Sequence, residues 1–533
     1  MYDILIKNGT IVDGTGGPRY LGDLAVTAGK IVKIAEKIDG EAKTVLDAGG
    51  KIVSPGFIDS HSHADMVFLL GTSGYNYLEQ GTTTEICGPC GESPMPYFDG
   101  FYKAYEGMFP EDKMAGMIEI LKSTTGFMSH AKTLALGTNM GFLVGQGTVR
   151  GRVMGYSMDT PSDAQMDEMR GYVQEAMDCG FLGISSGLIY PPSIYASEDE
   201  ITELVKVAAK NGGIYSTHIR GEDERCPEAV EEAIRVAEAC GIPLVVSHFK
   251  IVGKDNEGLS RATIGLVSDA LKRGMKVRVD QYPFLAGGAG LVDSIPPWHR
   301  ENGIDALVEK LKDSAFRRRV TDELQGDEGG FENFYKSSGF EGFLILMSPA
   351  APDLIGKTVA QVARERGSDQ FDTFYDLLIE SHGAMFIGYV SQNESDMLRI
   401  LQYPYTMPGS DLLHNLAETD PETVGGWHPR ATATMPRHLS LIRDNGLMSL
   451  EAAVHRMTGM PADFYSLRGR GVLREGAWAD ICVFDYAKVE GRADYIHPYR
   501  RNEGIDTVIV NGQVAVSQGR YNGARAGAVL TRE

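Results

Sequence analysis

Six side chains of the kinds that bind zinc stand at the ends of five apolar, strand-like runs of this sequence. They are His61 and His63, Cys90, His218, His248 and Asp411. Histidine, cysteine thiolate and carboxylate are the usual protein ligands of zinc and related metals. A barrel of parallel strands gathers residues from successive strand ends at one mouth, even when they lie far apart in the sequence. The pattern therefore predicts a metal centre of a hydrolytic enzyme.

The spacing within these segments adds detail to the prediction. His61 and His63 are two residues apart, so on a strand they point to the same face. By the same rule Lys250 should face the same way as His248, towards the predicted centre. Asp411 ends a Gly-Ser-Asp segment, where aspartate often forms a turn or caps a helix. Its place at a barrel mouth favours a catalytic role instead.

Cys90 also belongs to Cys87-Gly88-Pro89-Cys90, which has the form of a thioredoxin-type dithiol. In such proteins the motif begins a helix, and the helix N-terminus lowers the pKa of the first thiol. Here Pro94 and Pro96 follow closely, so no regular helix should begin at once. We therefore predict that Cys90 is a metal ligand and Cys87 a packing residue, with a dithiol oxidoreductase as the disfavoured alternative.

Composition narrows the class of protein. The chain has 533 residues, 43% of them hydrophobic, and a net charge of −21. This charge argues against nucleic acid or an anionic membrane as the partner. The six cysteines are sparse for the length, which predicts a reducing compartment, and the N-terminal residues lack the pattern of a secretory signal. We expect a cytoplasmic protein that acts on a small molecule, with homo-oligomerisation left open.

Both ends of the chain predict small strands joined by tight turns. Turn pairs such as Asn8-Gly9 and Asn511-Gly512 separate short apolar runs. Because chain termini often lie close together in space, residues 1–54 and 470–533 are expected to form one small β-sandwich domain.

Between these ends, residues 55–469 alternate strand-like and helix-like segments, which predicts an α/β fold with a (β/α)8 barrel of the TIM type. The predicted helices are 164–179, 198–211, 227–240 and 263–273. The predicted strands end near His63, Ile86, Leu136, Ser186, His218, His248, Tyr282 and Asp411. The interval that follows the seventh strand is too long for an ordinary connection. Residues of about 285–345 are therefore predicted to form a lid or insertion over the barrel mouth.

Several motifs together resemble those of the amidohydrolase superfamily and, within it, the D-aminoacylase (N-acyl-D-amino-acid deacylase) family. The segments that carry the resemblance are Pro55–His63, Cys87–Gly91, Thr217–Glu222, Ser247–Lys250, Asp280–Phe284, Gly409–Asp411, His428–Arg430 and Met457–Ala462. Their order and spacing extend over nearly the whole chain. The resemblance implies zinc-dependent hydrolysis of a linear amide bond, with N-acyl-D-amino acids as substrates.

The same resemblance implies roles for single residues. Cys90, His218 and His248 would hold one zinc tightly, and His61, His63 and Asp411 would form a second, weaker site. Asp411 would also move protons. Tyr190, Lys250 and Arg430 would bind the α-carboxylate of the substrate.

The chain departs from the family pattern in the segment that should line the substrate side-chain pocket. Relatives carry Ser or Thr where this chain has Ala286–Gly290, so one hydroxyl contact to the carboxylate is expected to be missing. Residues 285–298 contain only one charged residue, Asp293. Burying a carboxylate without a cation is costly, so the segment predicts an apolar substrate side chain. Arg300 lies close to the segment in sequence, so an acidic substrate side chain stays open as an alternative.

Further alternatives stay open at this point. A cyclic-amide or imide hydrolase, or another N-acyl amide hydrolase, would use the same fold. Cyclic-amide relatives usually bridge two metals with a modified lysine, and Cys90 takes its place in chain order here. A non-catalytic scaffold would have no need for the full set of predicted ligands.

Overall fold

A computed structural model describes residues 1–99, 111–326, 329–415 and 428–532. The strands of this part of the chain are β1 (Tyr2–Ile11), β2 (Tyr20–Thr27), β3 (Lys30–Ala35), β4 (Ala42–Asp47), β5 (Ile52–Pro55), β6 (Phe57–Ser62), β7 (Thr82–Cys87), β8 (Asn139–Gly145), β9 (Gly183–Gly187), β10 (Ile214–His218), β11 (Leu244–Val246), β12 (Val277–Gln281), β13 (Ala286–Gly290), β14 (Phe343–Met347), β15 (Phe386–Val390), β16 (Thr406–Pro408), β17 (Ile481–Phe484), β18 (Ile505–Val510), β19 (Gln513–Ser517) and β20 (Arg520–Tyr521).

The α-helices of the described residues alternate with the strands in the middle of the chain. They are Tyr75–Leu78, Glu111–Leu121, Thr124–Ala131, Gln146–Met154, Asp163–Asp178, Glu198–Lys210, Cys226–Cys240, Ser260–Lys272, Gly303–Lys310, Ser314–Gln325, Phe334–Ser338, Val359–Arg366, Gln370–Glu380, Glu394–Gln402, Arg430–Asn445, Leu450–Met457 and Gly459–Phe464. None of the helices in the described ranges combines the length and the apolar character needed to cross a bilayer.

Local signals explain where the barrel helices begin. Ser162 caps the helix Asp163–Asp178 in a reciprocal capping box with Gln165. Ser197 accepts a hydrogen bond from Glu200 N at the start of the next helix, whose first turn is acidic. These helices match the predicted segments closely.

Eight strands, β6 to β12 and β16, form a parallel sheet in the order β6-β7-β8-β9-β10-β11-β12-β16. Its two edges meet beyond the strand ends, where Asp411 N donates to His61 O (2.8 Å) and His63 N donates to Leu412 O (2.9 Å). We call this pair of contacts the barrel seam. The predicted barrel of the TIM type is confirmed. The third strand is Asn139–Gly145, so the prediction that it ends near Leu136 was wrong.

The two ends of the chain share one nine-stranded sheet, in which β5 pairs with β17. Cysteine, valine and isoleucine side chains of β17 and β18 are buried. Most strand pairs are antiparallel, as the turn signals predict, but β1 runs parallel to β4 and β5. The division of the chain into a small β-domain and a barrel at residues 54 and 470 stays a prediction.

The long interval between β12 and β16 contains a third sheet, which has three antiparallel strands in the order β13-β15-β14. We call residues 286–390 the insertion. Its helices and strands bury a hydrophobic cluster of their own, which also takes in Ile189 and Ile194 from the loop after β9. The insertion is longer than the predicted 285–345, because β15 pairs with both other strands and completes the sheet only at Val390.

Candidate metal centre and active site

The barrel strands bring all six predicted ligands to one mouth. His61 lies on β6 and His63 just beyond it, while His218 is the last residue of β10. Cys90, His248 and Asp411 follow β7, β11 and β16 by two or three residues. All are buried except His63, which is half-buried.

The Cys90 sulfur is common to two groups of potential ligands. It lies 3.4 Å from His61 Nε2 and 3.4 Å from His248 Nε2. In the first group, the ligand atoms of Cys90, His218 and His248 all lie within 4.8 Å of one another. The same limit holds for the second group, His61, His63, Cys90 and Asp411. Two metal positions that share one sulfur are therefore possible at this mouth.

The donor set fits zinc. Neither ring nitrogen of the buried His218 has a hydrogen-bond partner among the described residues, which is costly unless another group fills that role. Burial raises the pKa of Cys90 to about 12, so the sulfur becomes a thiolate only when a cation compensates it. One thiolate with two imidazoles is a zinc-type combination that keeps a fourth position open.

The same environment argues against a dithiol function. Burial raises the pKa of Cys87 well above its usual value, and Asp65 and Glu85 add to the effect. A redox-active pair needs a thiol with a lowered pKa. Cys87 and Cys90 are both free thiols.

Asp411 lies between two histidines of its ligand group and a cation. Its Oδ1 is 3.2 Å from both His61 Nε2 and His63 Nε2, and its Oδ2 is 2.9 Å from an Arg430 guanidinium nitrogen. Burial alone would raise the pKa of Asp411, but Arg430 and the neighbouring histidines outweigh it and hold the pKa well below its usual value. Asp411 is therefore ionised and can accept a proton.

Three of the candidate ligands have left-handed backbone conformations. The φ angles are 55° for Cys90, 33° for His248 and 55° for Asp411. Residues other than glycine rarely adopt such angles, and when they do they often lie at functional sites. The turns that follow β7, β11 and β16 thus direct these side chains inward at some cost in backbone energy.

The three residues implied to bind a carboxylate lie around the same mouth. The Tyr190 ring is 5.1 Å from the His218 ring, and the Arg430 guanidinium is 4.7 Å from the Tyr282 ring centre. Lys250 Nζ is 2.5 Å from Glu222 Oε1 and 2.9 Å from His248 Nδ1. Burial alone would lower the pKa of Lys250, but Glu222 outweighs it and raises the pKa. Lys250 and Arg430 are thus both paired with carboxylates of the protein.

Gly287 of β13 leaves room next to Lys250. A Cβ added at Gly287 would meet only Tyr282 Oη at 3.6 Å and Lys250 Cε at 3.9 Å. Both are ordinary contact distances. The space beside Lys250 at this position is therefore open.

A cavity of about 470 Å³ extends from His63, Cys90 and Asp411 towards the insertion. Its apolar wall comprises Phe98, Val292, Ile304, Leu307, Met347, Met385, Phe386, Leu412 and Leu413. Arg300 also lines it, and its guanidinium lies 2.5 Å from Asp293 Oδ1. The predicted lining, residues 285–298, contributes only in part, because Ile295 is buried in the insertion core instead.

Supporting contacts involve His428, for which its place beside Arg430 predicts such a role, and Asp280 and Glu222, for which the sequence predicts none. Asp280 Oδ1 lies 3.1 Å from His61 Nδ1 and accepts from His248 N at 2.7 Å. Glu222 Oε1 is 3.0 Å from His248 Nδ1. Both residues lie inside motifs that carry the family resemblance. Their place in these motifs was the signal in the sequence that could have pointed to a role at the site. His428, whose Nε2 lies 3.0 Å from Ala286 O, joins Arg430 to β13.

Comparison with known proteins gives concordant results. A model of the amidohydrolase family matches residues 44–516. A D-aminoacylase of Alcaligenes xylosoxydans xylosoxydans is 33% identical over 538 residues, covering 100% of this chain and 98% of the relative.

Two solved structures show the same similarity in three dimensions. An N-acyl-D-glutamate deacylase from Bordetella bronchiseptica, complexed with zinc and a phosphonate inhibitor that mimics the tetrahedral intermediate, has a TM-score of 0.81 at 30% identity and covers 99% of each chain. A D-aminoacylase, solved in a study of the functional role of its binuclear metal centre, has a TM-score of 0.81 at 30% identity and covers 100% of each chain.

Proposed function

Because the chain belongs to the amidohydrolase family, we propose that it is a zinc-dependent enzyme that removes the acyl group from N-acyl-D-amino acids. The observation that carries the proposal is the Cys90 sulfur, which lies 3.4 Å from the imidazoles of both His61 and His248. Relatives of full length that act on N-acyl-D-amino acids support the substrate class. We also propose that the enzyme acts in the cytoplasm.

On this proposal Cys90, His218 and His248 hold the zinc that activity requires. His61, His63 and Asp411 take a second ion more weakly through the shared sulfur. Bound zinc would polarise the scissile carbonyl and make the attacking water more acidic. A D-aminoacylase relative is described in terms of one-metal activation and second-metal attenuation, which agrees with unequal sites.

Residues of the chain supply the proton transfers and the orientation. Asp411 accepts a proton from the attacking water and returns it to the nitrogen of the leaving amine. Arg430, which is 2.9 Å from Asp411, keeps that carboxylate ionised until it accepts the proton. Tyr190, Lys250 and Arg430 orient the substrate through its α-carboxylate.

The cavity favours an apolar substrate side chain. Among the described residues that line the cavity, the arginines are Arg300 and Arg430. The charge of Arg300 is already neutralised by Asp293. The carboxyl groups of Glu92 and Asp99 add negative charge to the wall. A second carboxylate on the substrate would be poorly compensated. We therefore propose side chains such as those of D-leucine, D-methionine and D-phenylalanine over D-glutamate and D-aspartate.

A hydrolysis screen of N-acetyl and N-formyl D- and L-amino acids tests this proposal. We expect the highest kcat/KM for apolar D-substrates. In Asp293→Asn the charge of Arg300 is released, so kcat/KM for N-acetyl-D-glutamate should rise about 10-fold relative to N-acetyl-D-leucine, the value of one hydrogen bond to a charged group.

The matched control is Asp305→Asn at the cavity rim, where the carboxylate pairs with the exposed His382 and not with Arg300. It should leave the ratio of the two substrates unchanged. A wild-type preference for N-acetyl-D-glutamate would refute the apolar pocket, and cleavage of L-isomers alone would refute the substrate class.

The insertion should act as a lid when substrate binds. Its residues Val292, Arg300, Ile304, Met385 and Phe386 line the cavity that opens from His63, Cys90 and Asp411. Limited proteolysis with and without the D-amino acid product should therefore show protection within residues 285–345. Cleavage in the exposed turn before Asp163 serves as an internal control and should not change. Equal cleavage of the insertion in both states would leave it a fixed wall.

A further inference from the structure

The carboxylate of Glu222 lies behind the predicted ligands and contacts three of the residues named above. Its Oε1 is 3.0 Å from His248 Nδ1 and 2.5 Å from Lys250 Nζ. Its Oε2 is 3.8 Å from His218 Nε2. The side chain is only 2% exposed. One buried carboxylate thus lies between two candidate zinc ligands and the candidate carboxylate-binding lysine.

The position of His248 shows why the carboxylate matters. His248 Nε2 faces the Cys90 sulfur at 3.4 Å, so Nδ1 is the nitrogen on the far side. Nδ1 lies near Glu222 and also 2.9 Å from Lys250 Nζ. An ammonium group only donates hydrogen bonds. Of these two neighbours, therefore, only Glu222 can accept a hydrogen bond from Nδ1, the contact that usually orients a metal-binding histidine.

Lys250 depends on the same carboxylate. Its ammonium group is buried, and a buried charge needs a partner. The shortest ion pair of Lys250 is the one with Glu222. Glu332 of the insertion accepts a hydrogen bond from Glu222 N at 3.1 Å, so the insertion also contacts the backbone of this residue.

We propose that Glu222 is a positioning residue that orients the zinc ligand His248 and the carboxylate-binding Lys250 together. The inference rests on the proposed function for the roles of those two residues. It means that the metal site and the site for the substrate α-carboxylate are held in place by one side chain. Loss of that side chain should therefore disturb both sites at once.

The role of Glu222 in orienting His248 is tested by zinc affinity. This affinity is measured by competition with a chelator on protein without substrate. Glu222→Gln should bind zinc about 10- to 100-fold more weakly than the wild type, the usual effect of losing such a supporting contact. With saturating zinc, its KM for N-acetyl-D-leucine should also rise. Lys250→Met should raise KM while zinc affinity stays at the wild-type value.

Glu200→Gln is the matched control, because Glu200 is also buried and ion-paired, with Arg150, but contacts none of the six ligands. It should leave zinc affinity unchanged. If Glu222→Gln fails to fold, Glu222→Asp is compared with Glu200→Asp, and only the former should lose zinc affinity. Wild-type zinc affinity in the Glu222 variant would overturn the inference. A wild type that binds zinc but cleaves no N-acyl-D-amino acid would instead overturn the proposed function.

Discussion

Replacing Asp411 by asparagine is expected to lower kcat by about 10²- to 10⁴-fold, the usual contribution of a positioned acid–base group. Asparagine keeps the size of the side chain but cannot accept and return a proton. Because Cys90, His218 and His248 form a ligand group without Asp411, the variant should keep about one zinc per chain. Steady-state kinetics and elemental analysis of the same preparation measure the two quantities.

Asp396→Asn is a suitable control for this variant. Asp396 is buried and lies 2.7 Å from Arg399, much as Asp411 lies 2.9 Å from Arg430, but it packs outside the barrel mouth. Its loss should affect thermal stability and leave kcat nearly unchanged. Activity within a few-fold of the wild type in Asp411→Asn would exclude Asp411 as the proton-transfer group.

Cys90→Ser should have the second large effect, which is loss of zinc. The sulfur of Cys90 belongs to both ligand groups, so its removal weakens both metal positions. Serine binds zinc poorly at neutral pH because its hydroxyl stays protonated. The zinc content of protein purified without added metal should fall from about one zinc per chain to a small fraction of that value. Elemental analysis measures this content, and amide hydrolysis should fall with it.

Cys87→Ser provides the comparison within the same motif. Cys87 is buried, and burial together with nearby carboxylates raises the pKa of its thiol. We expect zinc content and amide hydrolysis to be retained. If Cys87→Ser and Cys90→Ser lost activity equally, a function of the dithiol pair would be favoured. A wild-type enzyme that is active without metal would contradict the zinc proposal as a whole.

The sequence was sufficient to predict that these six side chains meet at one barrel mouth, because a barrel aligns the ends of its strands. The third strand was predicted wrongly for a physical reason. The apolar run that ends at Leu136 follows directly on the helix Thr124–Ala131, and the strand begins only at Asn139. Asn139 is polar, but it is buried and donates hydrogen bonds to Thr83 O and to Asp480. Such tertiary contacts outweigh local hydrophobicity.

The charge pairing around the site could not be predicted from local patterns. Lys250 and Arg430 are cations suited to binding a carboxylate, but each already lies against a carboxylate of the protein, Glu222 or Asp411. These partners come from other strand ends. Arg300 is similar, because its pairing with Asp293 depends on how the insertion folds back after β13. Residue type predicted the charges, and the fold determines which of them is compensated.

The barrel seam has a consequence for the order in which the protein is made. His63 and Asp411 are 348 residues apart, yet backbone hydrogen bonds beside them close the barrel. The small sheet likewise needs β17 to pair with β5. A chain leaving the ribosome therefore displays most of its ligands long before either closure can form. Contacts of such large sequence separation slow folding, and the group of His61, His63, Cys90 and Asp411 can assemble only after the last barrel strand, β16, has been made.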